Sequence, residues 1–216
     1  MGTTSSYLAE ELLGEYDKTR HIAGIIVPKG LAVTKGETRA SDAIFHKGQY
    51  LENKKVIDVV DKMCSEDVII KSANALDENY VPVVLLAHET AGTIGTFIGP
   101  ASSKNIKVIV PVGLEKSIPV AYEEFIGQFG RDDWDYAIGT PVGAIALTQA
   151  IVFTELEAVE ALFDVTATPI ASGGVNGAEG SISLLIEGEE ENIVRAYEFF
   201  TDLKGEPPFP HVDHVK

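Results

Sequence analysis

Apolar residues recur along this chain in alternating short and long rhythms. Tyr7, Leu8, Leu12 and Leu13 repeat at helical spacing behind Ser6, whose hydroxyl suits a helix start. Residues 21–27 (HIAGIIV) form a short apolar run that stops at Pro28-Lys29-Gly30, the pattern of a strand and its turn. Residues 38–45 predict one or two helical turns. Val56, Val59, Val60 and Met63, separated by charges, predict an amphipathic helix over residues 51–63. Runs at 67–73 (DVIIKSA), 82–87 (PVVLLA) and 107–112 (KVIVPV) are predicted buried strands. Residues 91–103 predict a loop running into a helix, and 120–129 another amphipathic helix. Continuous apolar strands alternating with helices imply a mostly parallel sheet covered on both faces, hence a Rossmann-like α/β domain over residues 1–135.

Past residues 131–136 (RDDWDY) the order changes. A strand at 142–153, a helix at 156–163, strands at 168–172 and 181–187 and a helix at 189–203 give β-α-β-β-α. That order predicts a small ferredoxin-like α+β module over residues 136–206, followed by an extended tail at 207–216. Thr154 and Glu157 have the spacing of a capping box. Glu189, Glu190 and Glu191 fall where a helix dipole favours carboxylates. Asn176-Gly177, inside the Gly-rich run 172–180, is a tight-turn signal.

Charge sharpens the division. The net charge is −16, yet residues 1–131 carry 17 acidic and 14 basic side chains, whereas residues 132–216 carry 16 acidic and 3 basic ones. Such a balance argues against nucleic-acid and anionic-membrane partners and places the cations available to an anionic ligand in the first part. A single cysteine, Cys64, and the acidic residues of 7–20 predict a cytoplasmic protein. The longest uncharged stretch, 136–154, holds Gly139, Pro141 and Gly143 and reads as a turn and strand rather than a membrane span.

Three segments between residues 71 and 117 carry the candidate chemistry: KSANALD, HETAGTIG and GLEKS. In an open parallel sheet all three lie at the carboxyl ends of strands, where ligands bind. Thr90, Gly92, Thr93 and Gly95 surround a helix start whose bare amides attract phosphate or carboxylate. Lys71 and Lys116 add charge, Asn74 adds a neutral donor and acceptor, and Arg39 from the 28–42 loop reaches the same cleft. Glu89 and Asp77 are the candidate bases, on the expectation that burial raises their pKa. His88 with Glu89 lacks the spacing of a paired-histidine metal motif and reads as a structural pair. His211 and His214 flank Asp213 in a segment that reads as a frayed tail. No metal site or cofactor is assigned, because the glycine-rich dinucleotide and P-loop patterns are absent.

The run DVIIKSANALDENYVPVVLLAHETAGTIG, followed by KVIVPVGLEKSIP, resembles the core of the lactate-utilisation (LUD-type) proteins. These belong to the class with the sugar isomerase, glucosamine-6-phosphate deaminase and CoA-transferase fold. The resemblance implies a Gly/Thr-rich loop, a helix and a strand ending in Gly-x-x-Lys around a metabolite site. The Asp-Gly-Ala-Asp and Lys-Gly-Gly-Gly-Gly runs of ribose-5-phosphate isomerases are missing, so that reaction is not implied. Residues 142–203 look like the shell-protein fold of bacterial microcompartments. Two functions are thus expected: binding of a small phosphorylated or carboxylated metabolite at strand-end loops, or a non-enzymatic, homo-oligomeric assembly or regulatory role for the small module.

Overall fold

The computed structural model describes residues 1–213 and 215. Helices and strands are mixed along the chain, and it divides into two compact units. The larger comprises Met1–Val112, Ile118–Val152 and Pro210–Lys216, and the smaller Gly113–Ser117 and Phe153–Phe209. The division near residue 152 falls later than the change of composition at 131–136. Trp134 explains part of the difference: its indole donates to the Val142 carbonyl at 2.8 Å and packs on Phe129, so the charged segment is tied into the larger unit.

In the larger unit, α1 (Thr3–Leu13) is followed by a hairpin of β1 (Gly24–Val27) and β2 (Gly30–Val33). The apolar run at 21–27 therefore enters an antiparallel pair. The helical turns expected over 38–45 do not form beyond a single turn at Gly36–Thr38, and the chain runs on into a second, two-residue-per-strand hairpin, β3 (Phe45–His46) with β4 (Gln49–Tyr50). Lys47 and Gly48 turn it with positive φ, the geometry a tight hairpin requires. Residues 51–63 form two single turns, Val56–Asp58 and Val60–Lys62, instead of one helix. Four β-branched residues within Val56–Val60 disfavour helix, so although Asp58 and Asp42 accept the amides of Lys55 and Val56 and cap the first turn, the turn does not propagate. Likewise the segment 120–129 forms a single helical turn, Tyr122–Glu124, followed by non-helical turns through residue 128.

The apolar strands form as expected: β5 (Val68–Ile70), β7 (Pro82–Leu86) and β8 (Lys107–Pro111), with α2 (Gly92–Lys104) before the last. Their pairing differs from one mostly parallel sheet. β5 and β8 pair in parallel, whereas β7 lies antiparallel between β6 (Ala75–Leu76) and β9 (Gly143–Ala146). The predicted strand at 142–153 is two strands: β9 joins β7, and β10 (Ile151–Phe153) joins β8. Phe97, Ile22, Leu76, Ile94, Val83, Val110 and Val112 fill the core of this unit.

The smaller unit packs α3 (Glu155–Phe163) and α4 (Glu190–Leu203) with the antiparallel pair β11 (Thr166–Ser172) and β12 (Ile182–Glu187). Val159, Phe163, Val165, Ala167 and Ala196 are its core. The capping box forms as its spacing predicts: the Thr154 amide and hydroxyl both meet Glu157 Oε2 at 2.6 Å, and the Leu156 amide donates to the hydroxyl at 3.1 Å. Asn176 and Gly177 take the expected positive φ between β11 and β12. In the tail, His211 Nε2 lies 3.1 Å from Asp213, both exposed, while the expectation for His214 lies outside the described residues. No helix among the described residues is long and apolar enough to cross a membrane.

Candidate functional site

A cavity of about 590 Å³ opens in the larger unit, and four stretches of sequence build it. Ser5, Leu8, Ala9 and Leu12 line it from α1 at i, i+3, i+4 and i+7, one face of the helix. The start of α1 is pinned to the end of β5, because the Ser5 amide donates to Ser72 Oγ at 3.0 Å. Val56, Val59 and Met63 line the opposite side at the spacing that had suggested a helix. The period thus marks the inward residues although the backbone turns twice instead. β5 adds Val68, Ile70 and Lys71, and α2 adds Thr93 and Phe97, four apart on one face.

Two predicted site residues, Lys71 and Thr93, therefore share this cavity. The Lys71 ammonium donates to the Ser72 carbonyl at 2.9 Å and to that of Met1 at 3.4 Å, which fixes its position. Asp42 lines the same wall and accepts the Val56 amide at 2.9 Å.

His21 belongs to the site and was absorbed, in the sequence, into a predicted strand. It ends a single turn, Lys18–His21, that Asp17 caps by accepting the Thr19 amide. Only 5% exposed, His21 lines the cavity and meets the Tyr16 hydroxyl through Nδ1 at 2.9 Å, with the rings edge to face. Burial foremost, then the positive charges of the α-amino group and Lys71, lower its pKa to about 4. Burial, with Tyr50 and Asp42 adding negative charge, raises that of Tyr16 against the pull of Arg20. The spacing of Tyr16 and His21 around a capped turn was the available signal.

The other expectations resolve differently. Thr90 and Gly95 line a separate depression of about 280 Å³ with Ile57, Thr96 and Pro100, on another face of α2 from Thr93. The Thr90 amide and hydroxyl are taken by His88 Nδ1 at 3.2 and 3.1 Å, so the partner of His88 is Thr90 rather than Glu89. The Gly95 amide bonds the Ala91 carbonyl at 3.3 Å, and a Cβ at Gly95 would fall onto the Thr90 carbonyl oxygen. Its missing side chain serves packing. Gly92 opens α2 at φ +54°.

Asp77 is buried, but its carboxylate is occupied: Oδ1 accepts the amides of Asn79 at 2.8 Å and Val81 at 2.7 Å, and Oδ2 that of Tyr122 at 3.0 Å. A carboxylate so engaged anchors loops and is not placed to move a proton. Glu89 is 78% exposed, 3.7 Å from Arg131, and lacks the burial expected of a base. Asn74 accepts the Leu85 amide at 3.0 Å and holds β7 beside its own backbone. Arg39 is bound to Thr34, through Nε to the hydroxyl at 2.8 Å and through a second nitrogen to the carbonyl, while burial lowers its pKa. Lys116 lies in the smaller unit, where burial lowers its pKa against the pull of Glu115.

Among the described residues no cluster of His, Cys, Asp and Glu is arranged to hold a metal ion. Comparison with family models, curated proteins and solved structures returned no match, so function is argued from this geometry alone.

Proposed function

We propose that the larger unit binds a small anionic metabolite, carboxylated and with an apolar body, in the cavity lined by α1, residues 42–63, β5 and α2. The observation that carries this reading is that Lys71 and Thr93, from the end of β5 and the first turn of α2, line one cavity whose remaining wall is mainly apolar, with Ser5, His21, Asp42 and His46 set in it. A volume of about 590 Å³ suits a small organic ligand, and a few polar groups in an apolar wall are what orient one. Relative to the strand-end site expected from sequence, the ligand moves to the face of α2 that carries Thr93, and Glu89, Asp77, Arg39 and Asn74 leave the binding set. No reaction is assigned to the site.

The parallel β5–α2–β8 unit supports a Rossmann-like description of the larger unit and the proposed likeness to LUD-type proteins. The hairpin and two helices of the smaller unit support a ferredoxin-like one. The lone Cys64, exposed and unbridged, suits the cytoplasm.

Thermal-shift measurements against medium-chain carboxylates and sugar phosphates test the binding. A rise with carboxylates that disappears in Thr93→Trp and survives in Glu89→Ala is expected, and no response from the wild type to either class refutes it.

A second reading, self-assembly through the smaller unit, draws on its exposed Leu162, Ile170, Leu185, Val194 and Tyr197. Sedimentation of the wild type beside Tyr197→Glu tests it, and a monomeric wild type removes it.

A further inference from the structure

We propose that His21 is the residue that receives the ligand's carboxyl oxygen in this cavity, that Tyr16 positions it, and that the ligand is an aliphatic monocarboxylate. This rests on the cavity reading above and adds to it a recognising atom and a ligand class.

The geometry assigns the atom. His21 lines the cavity and Tyr16 does not, so the phenol stands behind the ring, on its Nδ1 side. With Nδ1 taken by the phenol, Nε2 is the nitrogen left for a ligand, and it has no hydrogen-bond partner among the described residues. A buried polar nitrogen without a partner is costly, and native proteins leave few of them. A ligand oxygen removes that cost, whereas an apolar side chain at this position carries none. Between phenol and imidazole, the phenol is the better donor and Nδ1 the better acceptor. The proton of the neutral ring is thereby assigned to Nε2, which becomes a donor aimed at the ligand.

The surroundings select the ligand. Lys71, fixed by two backbone carbonyls, supplies positive potential from a set position, and Asp42 on the same wall supplies negative. At the mouth, the exposed Lys54 and Lys62 are matched by Asp58 and Asp67. One neutral donor, the half-buried Lys71 and the α-amino group of Met1, whose pKa burial lowers to about 5, suit a single negative charge. A dianionic phosphate would face Asp42 with Lys71 and a largely neutral α-amino group to offset it. Leu8, Leu12, Ile44, Val59 and Met63 offer the rest of the ligand an apolar surface.

Calorimetry with the full chain and hexanoate, octanoate, decanoate and octyl phosphate tests the inference. Affinity for the alkanoates is expected to rise about fourfold per added methylene, the gain from burying one such group. Octyl phosphate is expected to bind at least about tenfold more weakly than octanoate, because its second negative charge has Asp42 to face. His21→Leu is expected to lose about tenfold in octanoate affinity. Tyr16→Phe is expected to lose less, while shifting the imidazole ¹⁵N resonances from one tautomer to a mixture, which a purely structural phenol would not do. Should His21→Leu not fold, the wild-type Nε2 resonance serves instead: it moves on octanoate addition if the atom is right. No alkanoate binding at all overturns the cavity reading. Alkanoate binding with unchanged affinity in His21→Leu, or a silent Nε2 resonance, leaves the cavity and overturns the role of His21. Tighter binding of octyl phosphate overturns the ligand class.

Discussion

The Asp77 carboxylate accepts the Tyr122 amide at 3.0 Å, joining two segments 45 positions apart, while its other oxygen holds the turn that leads into β7. Removing the carboxylate leaves three amides without their acceptor, two of them inside one tight turn. Asp77→Ala is expected to cost about 3 kcal/mol in urea unfolding, since hydrogen bonds to a charged group contribute more than neutral ones and the stranded donors add their own cost. Octanoate affinity of the folded protein should stay unchanged. A variant as stable as the wild type, or one that loses ligand affinity while stable, would show that the anchoring role is wrong.

Gly95 offers a test in which two effects have opposite signs. Inside a helix, Gly→Ala normally stabilises by about 1 kcal/mol through backbone entropy and propensity. Here the new methyl would fall onto the Thr90 carbonyl oxygen, a backbone atom that cannot swing aside as a side-chain tip can. Gly95→Ala is therefore expected to lower stability by about 2 kcal/mol, with Gly99→Ala, where a Cβ meets nothing, as the control that gains. Thermal unfolding of the two variants decides the sign.

These two residues also show where sequence reasoning reaches and where it stops. The apolar runs of β5, β7 and β8 and the Gly/Thr-rich start of α2 were legible, because burial and helix entry leave local marks. The pairing was not legible: a strand buried on both faces carries no alternation, so nothing in PVVLL tells parallel from antiparallel neighbours. β7 accordingly turned away from β5 and β8, and the strand-end loops read as one cleft separated. Val56, Val59 and Met63 were legible as inward-facing, although their β-branched neighbours broke the helix they implied. Asp77 and Glu89 failed for opposite reasons. One is buried with its oxygens spoken for, and the other is exposed, a distinction that residue type and loop position do not encode. His21 went unread because an apolar run hid it, and Tyr16, five positions before it, acquires meaning only once Asp17 has capped the turn between them.

In the smaller unit, Thr154→Ala should cost about 1 kcal/mol, the usual value of a lost N-cap. The pH profile of this loss carries further information. Burial alone would raise the Glu157 pKa, but hydrogen bonds from the Thr154 hydroxyl and amide, and from its own amide, outweigh burial and hold it below the ordinary carboxylate value. A carboxyl depressed in the fold contributes stability above its unfolded pKa and loses it as pH falls through the folded one. The difference between wild type and Thr154→Ala should accordingly shrink as the solution is acidified toward pH 3. Circular dichroism across that range measures it, and a difference independent of pH would remove Glu157 from the cap.

His21 makes a prediction of the same kind with a different window. Its pKa is about 4 in the fold against 6.5 in an unfolded chain, so between those values the unfolded chain holds the extra proton. The contribution of His21 to stability then rises with pH from about 4 to about 6.5 and levels off above. The buried α-amino group, its pKa lowered to about 5, adds a rise of its own that continues to about 8. Both signs follow from a base whose neutral form the fold prefers. The full shift corresponds to about 3 kcal/mol, at roughly 1.4 kcal/mol for each unit. Tyr16, Lys71 and the α-amino group act on this imidazole and Asp42 acts on Tyr16 and the α-amino group, and none of them is removed when His21 is replaced by Leu. Subtracting the urea-unfolding profile of His21→Leu from that of the wild type therefore leaves the ring together with its interaction with the α-amino group, whose own pKa burial lowers to about 5. The subtraction should leave a slope confined to pH 4–6.5. With octanoate bound, the carboxylate beside Nε2 favours the protonated ring, so the lower edge of the window should move upward and the slope should weaken. Identical profiles for the two proteins would mean that the imidazole is solvated, and the donor proposed for the ligand would have no reason to be neutral.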